Sequence, residues 1–377
     1  MPRSSIPPAS RIIRAGILIF SFVIGHAQDW SAPLPPEIPW HGQSENLIAA
    51  DDDPWITPAE KTGLTRIPRY GETVAWLQKL TEATAQVKMV SLGKSPEMRD
   101  IWLVVVSKEG AMTVADLKSN GRPTVLAQAG IHPGEIDGKD AGMMLLRDLT
   151  VAGSYPGLLD SVNLLFIPIL NVDGHERLAP YGRINQRGPA ETGWRTTGRN
   201  LNLNRDYAKI DSREMRLLVA ALNQWEPDLY LDIHVTDGID YQYDITFGYT
   251  GQHGLSPNGA RWLDERLTPT FNAQLSAWGH IPGPLVFAID DQNPRAGIVD
   301  WMATPRFSNG YGDARHLPTV LVENHSLKSF RQRVLGTYVL LRASLRLMAV
   351  HGRDLQRAVA ADRTREPKQV ALDWQQT

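Results

Sequence analysis

The chain has 377 residues, of which 42% are hydrophobic and 21% are charged, and its formal net charge is −2. This length can hold one large α/β domain or two smaller ones, and the near-neutral charge argues against a nucleic-acid-binding protein, which usually has a basic face. The sequence has no cysteine, which excludes disulfide bonds, a cysteine nucleophile and thiolate metal ligands, so any metal ion must be bound by His, Asp or Glu.

The N-terminal residues have the pattern of a secretory signal peptide. Three arginines precede the apolar run AGILIFSFVIG at 15–25, and small residues lie before a predicted cleavage after Ala27. The run is shorter than the about 20 residues that a membrane span needs, so no stable membrane anchor is expected, and an uncleaved anchor is the alternative. We therefore predict a signal peptide at 1–27 and a secreted or periplasmic protein.

The rest of the chain alternates between predicted helices and strands, after a Pro-rich lead at 28–58 that we expect to be extended. Apolar residues at helical spacing predict helices at 71–87, 140–151, 211–225 and 328–350. Apolar runs predict strands at 101–107, 124–130, 163–170, 229–235 and 319–325. A polar tail is predicted at 353–377.

Strands that are apolar on both faces, alternating with amphipathic helices, predict an α/β fold whose central sheet is covered on both faces. No repeat or change in composition divides the segment 59–352, which predicts one domain. In open α/β sheets, functional sites lie at the carboxyl ends of strands. His132, Asn171, His234 and Glu323 all fall at such ends.

The stretch AGIHPGEIDGKDAG at 129–142 places His132 and Glu135 three residues apart, between a strand and a predicted helix. A tight turn lets both side chains reach one ion, and His234 at the end of another strand supplies a second imidazole. Catalytic zinc keeps three protein ligands and one open position for water. The pattern predicts one zinc ion at these residues. The alternatives are a loop histidine, an acid at a helix N-terminus and a core histidine, none of which binds metal.

Several motifs resemble, in order, those of the zinc carboxypeptidases related to carboxypeptidase A. They are GIHPGE, NVDG at 171–174, WRTTGRNLNLNRDY at 194–207, DIH at 232–234 and LVENH at 321–325, and the segment 90–107 resembles the first hairpin of the family. The resemblance implies a single domain with a mixed, largely parallel central sheet and helices on both faces. It also implies the same three ligands for one zinc ion, and a peptide substrate with a free C-terminal carboxylate.

The resemblance further implies roles for residues outside the zinc ligands. Asn204 and Arg205 would bind the C-terminal carboxylate, to which the planar guanidinium can donate two parallel hydrogen bonds. Arg195 would polarise the scissile carbonyl, with Arg187 as the second choice. Glu323 would be the general base and acid.

Each of these roles has a structural alternative. Arg205 and Asp206 could form a loop salt bridge, Arg195 could stack on Trp194, and Glu323 could be an acid in solvent at a strand end.

The sequence departs from the family pattern in two places. Asn202 stands where the family often carries an aspartate behind a zinc histidine, and an amide accepts from the imidazole without bringing charge. Tyr311 is the candidate for the family's mobile tyrosine, a substrate-binding residue, but it lies closer to Glu323 in sequence than expected.

The leading hypothesis is a zinc carboxypeptidase that removes the C-terminal residue of peptides, with cell-wall peptides as one candidate substrate. A zinc amidohydrolase that deacylates small N-acyl amino acids is the alternative, because such compounds also carry a free carboxylate. A binding module that has kept the fold and lost turnover is a third hypothesis.

Overall fold

The computed structural model describes residues 34–110, 113–290 and 292–366. The described residues belong to one compact unit that begins at Leu34. The predicted signal peptide and residues 367–377 of the predicted tail lie outside the described residues.

A central sheet of eight strands organises the domain. The strands of the described residues are β1 Val87–Lys94, β2 Asp100–Val106, β3 Thr124–Gln128, β4 Asn163–Ile167, β5 Leu229–Val235, β6 Ile245–Gly248, β7 Pro282–Pro284, β8 Phe287–Ala288, β9 Ile298–Val299 and β10 Thr319–Asn324. Their order in the sheet is β1-β2-β4-β3-β5-β10-β6-β7, and β8 and β9 form a separate ribbon.

The middle of the sheet is parallel and its edges are mixed. Strands β4, β3, β5 and β10 run parallel, β1 and β2 form an antiparallel hairpin beside β4, and β6 runs antiparallel to β10. Every residue of β3, β4 and β5 is buried, as expected for strands that are covered on both faces. The predicted α/β fold with a mixed, largely parallel sheet is confirmed.

Nine α-helices surround this sheet in the described part of the chain. They are α1 Tyr70–Ala83, α2 Val114–Ser119, α3 Asp137–Leu149, α4 Val172–His175, α5 Arg213–Trp225, α6 Pro257–Trp262, α7 Thr268–Ala277, α8 Ser308–Ala314 and α9 Phe330–Arg363. Helices α3 and α9 pack on each other and on the central strands, whereas α1 and α5 pack against β1.

Helix α9 is the longest element, with 34 residues. It begins after Ser329, whose hydroxyl accepts a hydrogen bond from the backbone N–H of Gln332. By length and composition it could cross a membrane, but 78% of its most apolar window is buried inside the protein. Since it packs on α3, α6 and α7, it is a core helix of this domain.

The same helix corrects the predicted start of the polar tail at 353–377. Residues 353–363 are helical, because the helix is held at its far end as well. Leu355 is buried, and the Asp362 carboxylate accepts hydrogen bonds from the backbone N–H groups of Asn258 and Gly259 at the start of α6.

The described part of the lead, residues 34–58, lies against the domain. The Trp40 indole donates to the carbonyl oxygen of Gly279 at 2.7 Å, and the Ser44 hydroxyl lies 2.8 Å from Nε2 of His280. A short 3-10 turn at Gln43–Leu47 is the first regular element of this segment.

Three strands position the polar residues singled out by the sequence. Strands β3, β5 and β10 are consecutive neighbours in the sheet and run parallel. Their carboxyl ends therefore meet at one edge, where the residues after β3 and at the ends of β5 and β10 lie side by side.

Candidate metal centre

The loop after β3 holds His132 and Glu135 in a tight turn. The backbone N–H of Glu135 donates to the carbonyl oxygen of His132 at 2.9 Å, and α3 begins two residues later. Gly134 lies between them, and a Cβ at this position would be 2.5 Å from Cδ of Arg183. The glycine therefore allows an arginine side chain to pass directly against the turn.

The structure brings His132, Glu135 and His234 together. Nδ1 of His132 lies 3.0 Å from Oε1 of Glu135, and Nδ1 of His234 lies 2.8 Å from Oε2 of the same carboxylate. All three side chains are buried. The carboxylate thus faces the Nδ1 atoms of both imidazoles.

This donor set fits a zinc ion. One ligand atom from each of the three residues lies within 4.8 Å of the other two, and no second group of this kind occurs in the described residues. Two imidazole nitrogens and a carboxylate are an ordinary ligand set for catalytic zinc. Among the described residues Nδ1 of His132 is buried without a hydrogen bond of good geometry, although Oε1 of Glu135 lies 3.0 Å away, and a metal ion between the two atoms would bind both.

The two imidazoles of the cluster differ in protonation. Burial lowers the pKa of His132, which favours the neutral imidazole that binds metal. Burial alone would raise the pKa of Glu135, but His132 and Arg183 outweigh burial and hold the pKa well below its usual value. Burial alone would lower the pKa of His234, but the carboxylates of Asp232 and Glu135 hold it well above its usual value. The carboxylate of Glu135 therefore stays ionised beside a neutral His132, and a metal ion that binds here would take the place of the proton on His234.

A second polar group lies behind each imidazole. Nε2 of His132 lies 2.9 Å from Oδ1 of Asn202, the residue that the sequence comparison placed there. Nε2 of His234 lies 3.0 Å from Oδ2 of Asp232. Sequence reasoning missed Asp232, although a charged residue within an apolar strand, two positions before a candidate ligand, was an available signal.

Arg183 is the other residue that sequence reasoning missed. Its Nη1 donates to Oε1 of Glu135 at 2.6 Å, and its Nη2 donates to the carbonyl oxygens of Val235 and Thr236. The side chain is only 4% exposed. The guanidinium therefore compensates the Glu135 charge from inside the protein.

Arg187, the second choice for polarising the scissile carbonyl, lies elsewhere. Its guanidinium donates to the carbonyl oxygens of Leu327 and Pro35 and lies 3.8 Å from the Glu37 carboxylate. The structure gives it no contact with the three candidate ligands. It anchors the lead segment instead.

Arg195 lies at the opening of the cluster. Its Nη1 donates to Oε1 of Glu135 at 3.0 Å and lies 3.6 Å from the Asp237 carboxylate, and the side chain is 33% exposed. Stacking on Trp194, the alternative interpretation, is not among its contacts. A partly exposed cation beside candidate metal ligands is suited to contact a bound substrate.

Asn204 and Arg205 lie on the 3-10 turn Leu203–Arg205 that follows Asn202. The Arg205 guanidinium donates to the carbonyl oxygen of Asn204 and lies 4.6 Å from the centre of the Phe307 ring. Within the described residues it forms no ion pair with a carboxylate. Oδ1 of Asn204 is buried without a hydrogen-bond partner.

The charge of Arg205 is therefore available to an anion. Asp206, the alternative partner, accepts hydrogen bonds from Asp211 and Ser212 instead. Burial and the charge of nearby Arg195 lower the pKa of Arg205, as expected for a guanidinium among like charges.

Glu323 lies at the end of β10, beside the cluster. Its Oε2 atom is shielded from solvent and has no hydrogen-bond partner in the part of the chain that the structure describes, so the residue is not an acid in open solvent. Burial raises the pKa of Glu323 to about 8, a change that the His234 charge opposes and the Glu135 carboxylate reinforces. A carboxyl group in this state can take up and release a proton near neutral pH.

Tyr311 contacts other groups than the cluster. Its hydroxyl accepts a hydrogen bond from Arg315, and its ring lies 5.6 Å from the ring of Tyr207. A substrate contact of Tyr311 remains a prediction. Tyr241 is linked to Glu323 through Thr246: the Tyr241 hydroxyl lies 3.4 Å from the Thr246 hydroxyl, which donates to the backbone carbonyl oxygen of Glu323. Burial raises the pKa of Tyr241 to about 12, and the Glu323 charge contributes to this rise.

Comparison with known proteins gives the same family as the motifs. Residues 73–257 match the zinc carboxypeptidase family model. This segment contains the three candidate ligands and the Asn204–Arg205 pair, whereas Glu323 lies beyond it. A comparison with curated protein sequences finds no match.

Solved structures with the same fold include several carboxypeptidases. A carboxypeptidase A from Helicoverpa armigera has a TM-score of 0.55 and 19% identity, over 77% of this chain and 75% of that one. A metallo-carboxypeptidase from Burkholderia cenocepacia has a TM-score of 0.53 and 18% identity, over 75% and 69%. One from Pseudomonas aeruginosa has a TM-score of 0.51 and 19% identity, over 75% and 68%. At these identities the likeness concerns the fold.

Proposed function

The chain belongs to the zinc carboxypeptidase family, and from this premise we propose that it removes the C-terminal residue of peptides, with Glu323 as the general base. Bacterial cell-wall peptides are one candidate class of substrate. The proposal depends on two neighbouring features, the candidate zinc ligands and Arg205, which forms no ion pair with a carboxylate of the described residues.

One observation supports the proposal most directly. Oδ1 of Asn202 lies 2.9 Å from Nε2 of His132 and accepts a hydrogen bond from the backbone N–H of Asn204 at 3.0 Å. The same amide therefore orients a candidate zinc ligand and the turn that carries Arg205. Asn204 and Arg205, the proposed anion site, are therefore held at a fixed distance from the metal ligands. This arrangement suits a substrate whose scissile bond lies next to a free carboxylate.

Peptide hydrolysis needs a nucleophile, charge stabilisation and a proton for the leaving amine. His132, Glu135 and His234 would hold the zinc ion, which would supply a bound water with a pKa of about 7 and a positive charge near the scissile carbonyl. Glu323 accepts the proton of the attacking water and donates it to the leaving amine. Arg195 donates hydrogen bonds to the carbonyl oxygen as negative charge develops there.

Arg205 and Asn204 provide the selection for a chain end. A guanidinium binds a carboxylate through two parallel hydrogen bonds, and the Asn204 side chain adds a contact without adding charge. An internal peptide segment has no carboxylate to offer this site. Its binding would leave the positive charge of Arg205 unpaired, so the protein acts as an exopeptidase.

A substrate series tests the proposal. The protein with bound zinc is assayed with a peptide that has a free C-terminal carboxylate, with the same peptide amidated, and with an N-acetyl amino acid. A further peptide ends in a D-amino acid, as bacterial cell-wall peptides do. We expect release of the last residue from a peptide with a free carboxylate, and hydrolysis of the amidated peptide at least about 100-fold slower.

Two results would contradict the proposal. Equal hydrolysis of the free and amidated peptides would remove the role of the anion site. Hydrolysis of the N-acetyl amino acid alone would favour the deacylase, for which no contact in the structure gives specific support.

Export is the remaining part of the proposal. The charged N-terminus, the short apolar run and the small residues before the site after Ala27 support removal of residues 1–27 on secretion. The mass of the protein recovered from the periplasm or the medium tests this. A chain that begins at residue 28 is expected, and a full-length chain retained in the membrane would contradict it.

A further inference from the structure

The two candidate imidazole ligands differ in what lies behind them. Both turn Nδ1 towards Glu135, and both turn Nε2 away from it. Behind His132 stands the neutral amide of Asn202, whereas behind His234 stands the carboxylate of Asp232. The pair of ligands is therefore electrically asymmetric.

Asp232 and His234 depend on each other for a polar partner. Oδ2 of Asp232 and Nε2 of His234 lie 3.0 Å apart, and both side chains are fully buried. Neither atom forms a hydrogen bond of good geometry within the described residues, so their contact is a close approach of an imidazole and a carboxylate. Since an unpaired buried charge is costly, the His234 ring is the group that compensates the Oδ2 side of this carboxylate.

A buried network holds Asp232 in place. Nε2 of Gln128 donates to Oδ1 of Asp232 at 3.0 Å, and Oε1 of Gln128 accepts from the Tyr230 hydroxyl at 2.6 Å. The Tyr207 hydroxyl lies 2.7 Å from that of Tyr230. These contacts leave Oδ2 as the free oxygen of Asp232 and direct it at His234.

Asn202 is held differently. Its Oδ1 atom is shared between Nε2 of His132 and the backbone N–H of Asn204. An amide oxygen orients the ring but adds no charge, so it increases the basicity of Nδ1 less than a carboxylate does.

We propose that Asp232 is the positioning residue that sets the zinc affinity of this site, acting through His234, whereas Asn202 only orients His132. The proposal rests on the three zinc ligands of the proposed function. Removing the Asp232 charge reduces the electron density at the ligating nitrogen of His234 and releases the ring, which weakens zinc binding.

Four forms of the full chain test this: the wild type, Asp232→Asn, Asn202→Asp and the double variant. Each is stripped of metal, and its zinc dissociation constant is measured by competition with a chromogenic chelator. Outer-shell partners of metal ligands typically change affinity by about 10- to 100-fold, so Asp232→Asn should weaken binding by about that factor. Asn202→Asp alone should bind zinc at least as tightly as the wild type.

The double variant distinguishes a positioning role from a structural one. It moves the charge from one imidazole to the other, so it should recover much of the affinity that Asp232→Asn loses. Damage to the fold would not be repaired by a second change on the opposite side of the site. The unfolding transition of each metal-free form is measured alongside.

Each outcome bears on a definite part of the proposal. Unchanged zinc affinity in Asp232→Asn, or no recovery in the double variant, would overturn the role of Asp232 and leave the proposed function intact. A wild type that binds no zinc would overturn the ligand assignment itself. If Asp232→Asn does not fold, the comparison of Asn202→Asp with the wild type carries the test, and weaker zinc binding by Asn202→Asp would overturn the proposal.

Discussion

Glu323 and His234 lie directly opposite each other on the neighbouring parallel strands β10 and β5. Opposed residues on adjacent strands project to the same side of a sheet, so the register places a carboxyl group beside a candidate zinc ligand. The proposed general base is thus positioned by backbone hydrogen bonds of the sheet and does not depend on a mobile loop.

The first prediction concerns Glu323→Gln. The amide has nearly the same shape but cannot accept the proton of water, so kcat should fall by about 10²- to 10⁴-fold or more. Zinc should stay bound at one ion per chain, which metal analysis of the same sample measures. Full activity in this variant would rule out the assigned role.

The second prediction concerns Arg205→Gln. Loss of the charged hydrogen bonds to the substrate carboxylate should cost about 1.5–3 kcal/mol of binding, or about 10- to 100-fold in kcat/KM. The preference for the free peptide over its amide should largely disappear. Arg261→Gln, an exposed change on α6, is the matched control and should behave as the wild type. An unaltered preference in Arg205→Gln would exclude this residue from carboxylate binding.

The third prediction compares two arginines that are four residues apart. Arg183→Met removes a buried partner of Glu135 and should lower the free energy of unfolding of the metal-free protein by about 3–5 kcal/mol. Bound zinc should reduce this loss, because the ion then compensates the carboxylate. Urea unfolding with and without zinc measures both effects.

Arg187→Met is the control for that comparison, because Arg187 contacts only the lead segment and neighbouring carbonyl groups. Its effect should be smaller and independent of zinc. Equal losses in the two variants, with no influence of zinc, would contradict the role assigned to Arg183.

The fourth prediction concerns acid stability. Burial lowers the pKa of His280 from 6.5 to about 4 in the folded protein, with Asp244 opposing the effect. The unfolded chain therefore binds a proton first as the pH falls, so the free energy of unfolding should decrease from pH 6.5 towards pH 4. The contribution of His280 to the free energy of unfolding should be complete only above the pKa that this histidine has in the unfolded chain.

His280→Asn tests this by urea unfolding of the metal-free protein between these two pH values. The variant should be destabilised at neutral pH, since it disturbs the contact with Ser44, but its stability should depend less steeply on pH. A slope identical to that of the wild type would show that His280 does not contribute.

The sequence predicted those helices and strands whose own pattern of apolar residues shows which of the two they are. The strand at 229–235 was placed to the residue, because all seven positions are buried. Strands β6 and β7 were not predicted, since runs of four and three residues are too short to show a period. The end of α9 was missed because it depends on the distant partners of Asp362.

The same distinction holds for the site. The three candidate ligands follow local patterns at strand ends, and the structure brings them together. Arg183 and Arg195 contact Glu135, whereas Arg187 does not. This outcome depends on the path of a long loop, which the spacing of residues in the sequence does not define. The one available sequence signal for Arg183 was Gly134, because a glycine in this turn leaves room for a side chain from elsewhere to pass against it.

The most direct test of the central claim is anomalous diffraction at the zinc absorption edge from crystals of the zinc-loaded protein. We predict one anomalous peak about 2.0–2.2 Å from Nδ1 of His132, Nδ1 of His234 and a carboxylate oxygen of Glu135. A peak at other side chains, or none in a protein that hydrolyses peptides, would contradict the account.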